Sequence, residues 1–217
     1  MIGLMLKDIM VLRKTIKTYA LFLVFYLLLA VVGLFPISTI TAVTQLIIMM
    51  LPLSAFAFDE QAKWDRYALT FPTGPRVLVG ARYLFALVMA AAASLYSLVA
   101  CVILSIGKGQ DTMGENLFSL MFSLGLGLFI ADILLPLCYK LGVERARPYM
   151  YLVIFAPMVL FFGAYKLGLF ESIDFAALDR LPESTLLAFS ALLPLIPLVG
   201  LGVSYLISCR IVAQKEV

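Results

Sequence analysis

Residues Asp59 to Pro75 read DEQAKWDRYALTFPTGP, between apolar runs at 37–58 and 83–106 that reach the roughly 18 to 20 residues needed to cross a bilayer. The stretch holds the chain's single tryptophan, Trp64, and closes on Pro72 and Pro75. Charge of both signs between two such runs marks a connection outside the hydrocarbon, so the apolar sequence around it divides into separate spans.

The 217 residues are 64% hydrophobic and 13% charged, with a mean hydropathy of +1.08. Soluble domains carry about 25% charged residues, so lipid must replace water over most of this surface. Six apolar runs, at about 19–35, 37–58, 83–106, 117–137, 149–167 and 185–208, predict an all-α polytopic membrane protein with six transmembrane helices in one domain over 1–217. The first two runs meet at Phe35-Pro36, which reads as the tight turn of a hairpin.

Basic residues orient the spans, because cytoplasmic connections are enriched in Lys and Arg. One side collects Lys7, Arg13, Lys14, Lys17, Lys63, Arg66, Arg76, Arg82, Lys140, Arg145, Arg147, Arg210 and Lys215; the other has only Lys108, Lys166 and Arg180, beside six acids. Both termini and the segment 59–82 are therefore expected in the cytoplasm. Ahead of the first span, Ile2, Met5, Ile9, Leu12 and Ile16 recur three and four residues apart with Lys7 and Lys14 opposite, which predicts an amphipathic helix lying in the interface. It would serve as an anchor to acidic headgroups or as a lever on the first span.

Within the quoted stretch, 59–70 suits a helix that Phe71-Pro72 stops, and Thr73-Gly74-Pro75 is a turn opening the next helix. The mixture of Asp59, Glu60, Lys63, Asp65 and Arg66 with Trp64, Tyr67 and Leu69 suits a protein interface, and equally an aromatic belt among headgroups. A second cytoplasmic segment, LLPLCYKLGVERARPY from Leu134 to Tyr149, is bounded by Pro136 and Pro148 and reads as a short, rigid, basic connection.

Asp59-Glu60, Lys63-Trp64-Asp65-Arg66-Tyr67, Leu69 and Pro72 resemble the first hallmark of small ABC-2 type permeases, and Leu135-Pro136-Leu137, Tyr139-Lys140, Gly142, Glu144 and Arg147 resemble the second. Leu141 and Cys138 depart from the residues usual in that motif. The resemblance implies that 59–82 contains a coupling helix pushed by a separate ABC ATPase subunit, with Trp64 and Tyr67 as anchors and Asp59, Asp65 and Arg66 setting register. The second loop, with Tyr139, Lys140, Gly142, Glu144, Arg145 and Arg147, would lie on the same side. It also implies a second permease copy or a related permease. ATP and magnesium would bind in the partner subunit and no cofactor in this chain. No G-x-x-x-x-G-K-[ST] phosphate cradle occurs.

Function classes narrow further by composition. Histidine is absent, and Cys101, Cys138 and Cys209 show no Cys-x-x-Cys spacing, so neither a zinc site nor a disulfide framework is indicated. An intramembrane enzyme lacks a base for a nucleophile. An ion-coupled carrier or channel would want several buried polar groups, whereas Asp132 stands alone as an intramembrane acid, and a lone carboxylate costs about 2.5 to 3.5 kcal/mol at mid-span. Lying one turn before Pro136, Asp132 is expected to pair with Lys140, Arg145 or water in preference to relaying protons. Serines 94, 97 and 123 with Gly125 and Gly127 read as helix-packing positions. Pro52, Pro136, Pro194 and Pro197 are candidate hinges, and Phe170, Ile173, Ala177 and Leu181 predict an amphipathic helix at the outer surface. The expected role is a permease subunit exporting an amphipathic peptide, antimicrobial or lipid-like cargo across the bacterial cytoplasmic membrane, with lipid but no nucleic acid as a partner. An ion-coupled secondary carrier or channel without an ATPase partner is the alternative.

Overall fold

In the computed structural model, residues 2–64, 67, 74–108, 113–167 and 190–215 are described. Their elements are helices: α1 (Ile2–Val11), α2 (Arg13–Val31), α3 (Ile37–Gln61), α4 (Pro75–Lys108), α5 (Met113–Leu141), α6 (Val143–Lys166) and α7 (Leu195–Lys215). Five stretches are long and apolar enough to cross a membrane: Arg13–Val31, Ser38–Gln61, Arg76–Ser105, Gly114–Leu141 and Ser190–Gln214. Helix α6 occupies the place of the remaining expected span at 149–167. The expected outer amphipathic helix around Phe170 to Leu181 lies outside the described residues.

The hairpin between α2 and α3 turns at Gly33 before it reaches the proline. Leu34 N–H donates to Leu29 C=O at 3.1 Å and Gly33 N–H to Ala30 C=O at 3.0 Å, closing α2 with Gly33 at φ +88. This is a Schellman ending, which needs a residue without a Cβ penalty at that position. Pro36 then sits extended, at φ −68 and ψ 155, and admits α3.

Helix boundaries around the segments expected in the cytoplasm differ from those expected. Asp59, Glu60 and Gln61 do not start a separate helix; they are the last turn of α3. The helix is broken off at Lys63, whose φ of +51 is left-handed and whose N–H donates to Glu60 C=O at 3.1 Å; this is the turn that ends α3. On the far side of the segment, α4 begins at Pro75, as the turn predicts, and runs 34 residues, about 51 Å at 1.5 Å per residue. That is well beyond the roughly 30 Å of hydrocarbon, so the helix extends outside the bilayer. The second connection is also tighter than expected. Helix α5 passes through Pro136 to Leu141, α6 starts at Val143, and Gly142 alone joins them.

At the centre of the bundle is α5, packed against α3, α4, α6 and α7. Close approach to the turn that leads into α7 needs Gly125, where an added Cβ would lie 3.1 Å from Leu193 O. Helix α2 is peripheral, tied to α4 by Tyr96 OH donating to Leu23 C=O at 2.9 Å. The predicted stripe on α1 is real, but it faces protein. Leu12 is fully buried, and Met5, Ile9 and Ile16 join it against Leu51 and Ala55 of α3 and Phe85 of α4, while Ile2 stays exposed. Helix α1 thus docks on the bundle because its apolar side finds a complementary apolar groove there.

Candidate functional site

Beyond Phe58, α3 ends on adjacent carboxylates. Successive helical residues point about 100° apart, and these two diverge accordingly. Asp59 is turned inward at 9% exposure and Glu60 outward. Asp59 Oδ1 accepts from Lys7 Nζ at 2.7 Å, and Oδ2 accepts from Arg82 Nη2. Both cations also reach Asp8: Lys7 Nζ lies 3.2 Å from Oδ1 and Arg82 Nη1 lies 3.0 Å from Oδ2, the latter an ion pair without hydrogen-bond alignment.

Two anions and two cations therefore close on one another where α1, α3 and α4 meet. Taking such charges out of water is tolerable only when each finds partners. Burial pushes the Asp8 carboxyl up from its ordinary value, while Arg82 and then Lys7 pull it back down. Aromatic rings complete the cage. Lys7 Nζ stands 4.3 Å from the Trp64 ring centroid and Arg82 Cζ 4.6 Å from that of Phe56, both within cation–π range. Phe56 meets Tyr139 of α5 edge-on at 4.8 Å.

Glu60 crosses to the connection between α5 and α6. Its Oε2 accepts the Val143 N–H at 2.8 Å, filling one of the donors that every helix start leaves open and placing negative charge at the positive end of α6. Gly142 is required twice at this joint. Its φ of +79 and ψ of 167 fall where glycine alone is comfortable, and an added Cβ would lie 2.9 Å from Glu60 Oε1. The two predicted cytoplasmic segments are thus one structure, joined through Glu60.

Deeper in the bundle, Asp132 has taken neither Lys140 nor Arg145 as a partner. Among the described residues no ion pair to Lys140, Arg145 or any other cation involves Asp132, and its Oδ1 is buried without a hydrogen-bond partner. The carboxylate packs against Gly200 of α7, where any side chain would run into it. The reason lies in the helix. Lys140 is exposed at the far end of α5, two turns on, while Asp132 points across to α7. Its backbone is better served. Pro136 has no N–H to give the Asp132 carbonyl, and Ser204 Oγ donates to that carbonyl at 2.7 Å instead, a repair typical of prolines inside membrane helices. Tyr83 OH links Ser204 and Ser208 at 2.6 and 2.8 Å, joining α4, α5 and α7.

Of the other expected site residues, Lys63 is exposed at the turn that ends α3, Trp64 is half-buried beside Lys7, and Tyr67 is 66% exposed. Lys140, Glu144, Arg145 and Arg147 are exposed around the α5–α6 joint. Asp65, Arg66, Leu69 and Pro72 lie outside the described residues. Asp8 was not singled out from sequence, and Lys7 and Arg82 were read only for orientation and helix face and not as site residues, although two signals were present: Asp8 is an acid in an otherwise basic and apolar segment, and Arg82 directly precedes an apolar run.

A family model described as ABC-2 family transporter protein matches residues 3–213. No curated protein and no solved structure matches the chain.

Proposed function

The chain belongs to the ABC-2 transporter family, and on that premise we propose that it is the permease through which a separate ATPase, holding ATP and magnesium, drives export across the bacterial cytoplasmic membrane. In this reading six helices span the bilayer, both termini are cytoplasmic, and a second copy or a related permease completes the pathway. The cargo is an amphipathic peptide, antimicrobial or lipid-like molecule.

The observation that carries the proposal is the pair of carboxylates at the foot of α3. Asp59 ties α3 to α1 and α4 through Lys7, Asp8 and Arg82, and Glu60 ties it to the start of α6. The left-handed turn at Lys63 follows within one turn of helix. A push on it is shared by α1, α3, α4 and the α5–α6 joint, because the links are charged and largely buried. The ATPase is contacted by Lys63, Trp64 and Tyr67 and by Lys140, Glu144, Arg145 and Arg147, with Asp65, Arg66, Leu69 and Pro72 completing the surface; charged pairs fix its register. Nucleotide drives the cycle by stabilising one of two arrangements of these helices more than the other.

The test is purification from native membranes followed by ATPase and transport assays in proteoliposomes. The wild-type chain carries an ATPase with it, and Trp64→Ala with Tyr67→Ala releases that subunit. Glu60→Gln, which weakens the link to α6 and leaves the turn at Lys63 intact, retains the ATPase but lowers transport per ATP hydrolysed. Cargo or ion flux through the permease alone, undiminished without any ATPase, would refute the proposal.

A further inference from the structure

We infer that a groove enclosed by α3, α4, α5 and α7 is a subsite for a neutral, largely apolar molecule carrying a hydrogen-bond acceptor, held by the side-chain amide of Gln45. The groove is partly open at its side, so that only the acceptor-bearing end of such a molecule needs to enter it. Its walls include Leu53, Leu87, Ala90, Leu128 and Leu201, and among the described residues no ionisable side chain lines it.

One wall is polar. Gln45 is 4% exposed and its Nε2 is buried without a hydrogen-bond partner. An amide donor left unpaired in a membrane interior is costly, and Gly127 of α5 makes room for it: a Cβ there would lie 2.7 Å from Nε2. The bundle accommodates a donor that nothing among the described residues uses, at the edge of an apolar space. A carbonyl or ether oxygen on an apolar molecule satisfies it; a cation does not, and an anion finds no positive charge in the lining.

Depth decides between cargo and bilayer lipid. Gln45 is the ninth residue of α3, about 12 Å along from its start at Ile37, and so near the middle of a hydrocarbon layer about 30 Å thick. Ester oxygens of a bilayer phospholipid sit at the interface, about 15 Å from that middle, and do not reach Gln45. A molecule withdrawn from the leaflet does. Entry is sideways, past Leu87, which is 37% exposed and flanked on α4 by the exposed Leu84 and Val88. Identifying the occupant as cargo rests on the exporter reading; the existence of the subsite does not.

The experiment is photolabelling of the full chain in lipid nanodiscs with an uncharged fatty-acyl amide bearing a diazirine beside its carbonyl, mapped by peptide mass spectrometry. A diazirine-bearing phosphatidylcholine runs in parallel. The amide probe labels peptides of α3, α4 and α5 around Gln45. Gln45→Leu lowers that labelling about fivefold, the worth of one hydrogen bond, without lowering thermal stability, since it removes an unpaired donor. Ala90→Phe fills the groove and abolishes labelling; Leu87→Trp, at the exposed mouth, lowers it with the interior unchanged. Labelling indifferent to Gln45→Leu and Leu87→Trp overturns the subsite. Equal labelling of the same peptides by phosphatidylcholine overturns the assignment of the occupant. None of these readouts involves ATP, so their failure is distinct from failure of the ATPase-driven reading.

Discussion

Replacing Arg82 by methionine tests whether the charges where α1, α3 and α4 meet act as one unit. The methionine retains an apolar stem against Phe56 but removes the guanidinium that lies between Asp8 and Asp59. Their side chains are 5% and 12% exposed, and Lys7, at 22%, would be their one remaining cation in the cluster. Breaking a buried ion pair by deleting one partner costs about 3–5 kcal/mol, and that is the expected loss for Arg82→Met, read as unfolding in detergent micelles at pH 7. Removing all four charges together, with Lys7→Met, Asp8→Asn and Asp59→Asn added, recovers most of it, because no charge is then left buried alone. The pH dependence carries a definite sign. Asp8 already holds its proton more tightly than an ordinary carboxyl, and Arg82 opposes that rise, so its loss raises the value further. A raised carboxyl favours the folded state below its folded pKa, and that advantage fades as pH rises from the ordinary value through the folded one. The variant should therefore regain stability on acidification from pH 7. A loss below about 1 kcal/mol at pH 7, or a deficit unchanged by acid, would refute the idea of a shared buried cluster.

Other consequences follow from single positions. Lys63→Gly should be neutral or stabilise by up to about 1 kcal/mol in thermal melts, since Lys63 adopts a left-handed φ of +51, and Lys63→Val should destabilise by a comparable amount. Gly142→Ala should cost about 1–3 kcal/mol by the same assay; adding Glu60→Ala should recover only part, because the contact with Glu60 would be removed and the backbone strain would stay. Ser204→Ala should cost about 1–3 kcal/mol by leaving the Asp132 carbonyl unpaired, and a Pro136→Ala background, which restores the helical N–H, should shrink that cost in a double-mutant cycle.

Features carried by neighbouring residues were legible in the chain. Hydropathy over a span-length window reports lipid contact directly, so the helices at 37–58 and 83–106 could be placed without their partners. Proline and glycine act through their own backbone, so the starts at Pro36 and Pro75 were visible as well. Boundaries went astray where a local rule met tertiary contact. Asp59 and Glu60 looked like the start of a polar helix, yet partners on other elements let α3 continue through them. Pro136 looked like a helix end, yet Ser204 took up the freed carbonyl and α5 ran on.

Composition and order alone thus determined a membrane protein built of apolar helices with polar, aromatic-bearing connections, and residue motifs resembling ABC-2 permeases. Only the tertiary structure decided which charges meet. Lys7 and Asp59 are 52 positions apart, and Glu60 and Val143 are 83 apart. Such pairings depend on how the helices pack, and in the linear chain nothing distinguishes Asp59, enclosed by two cations, from Tyr67, left at the surface. Hydrophobic pattern is a local property of each segment; the partner of a buried charge is a property of the whole bundle.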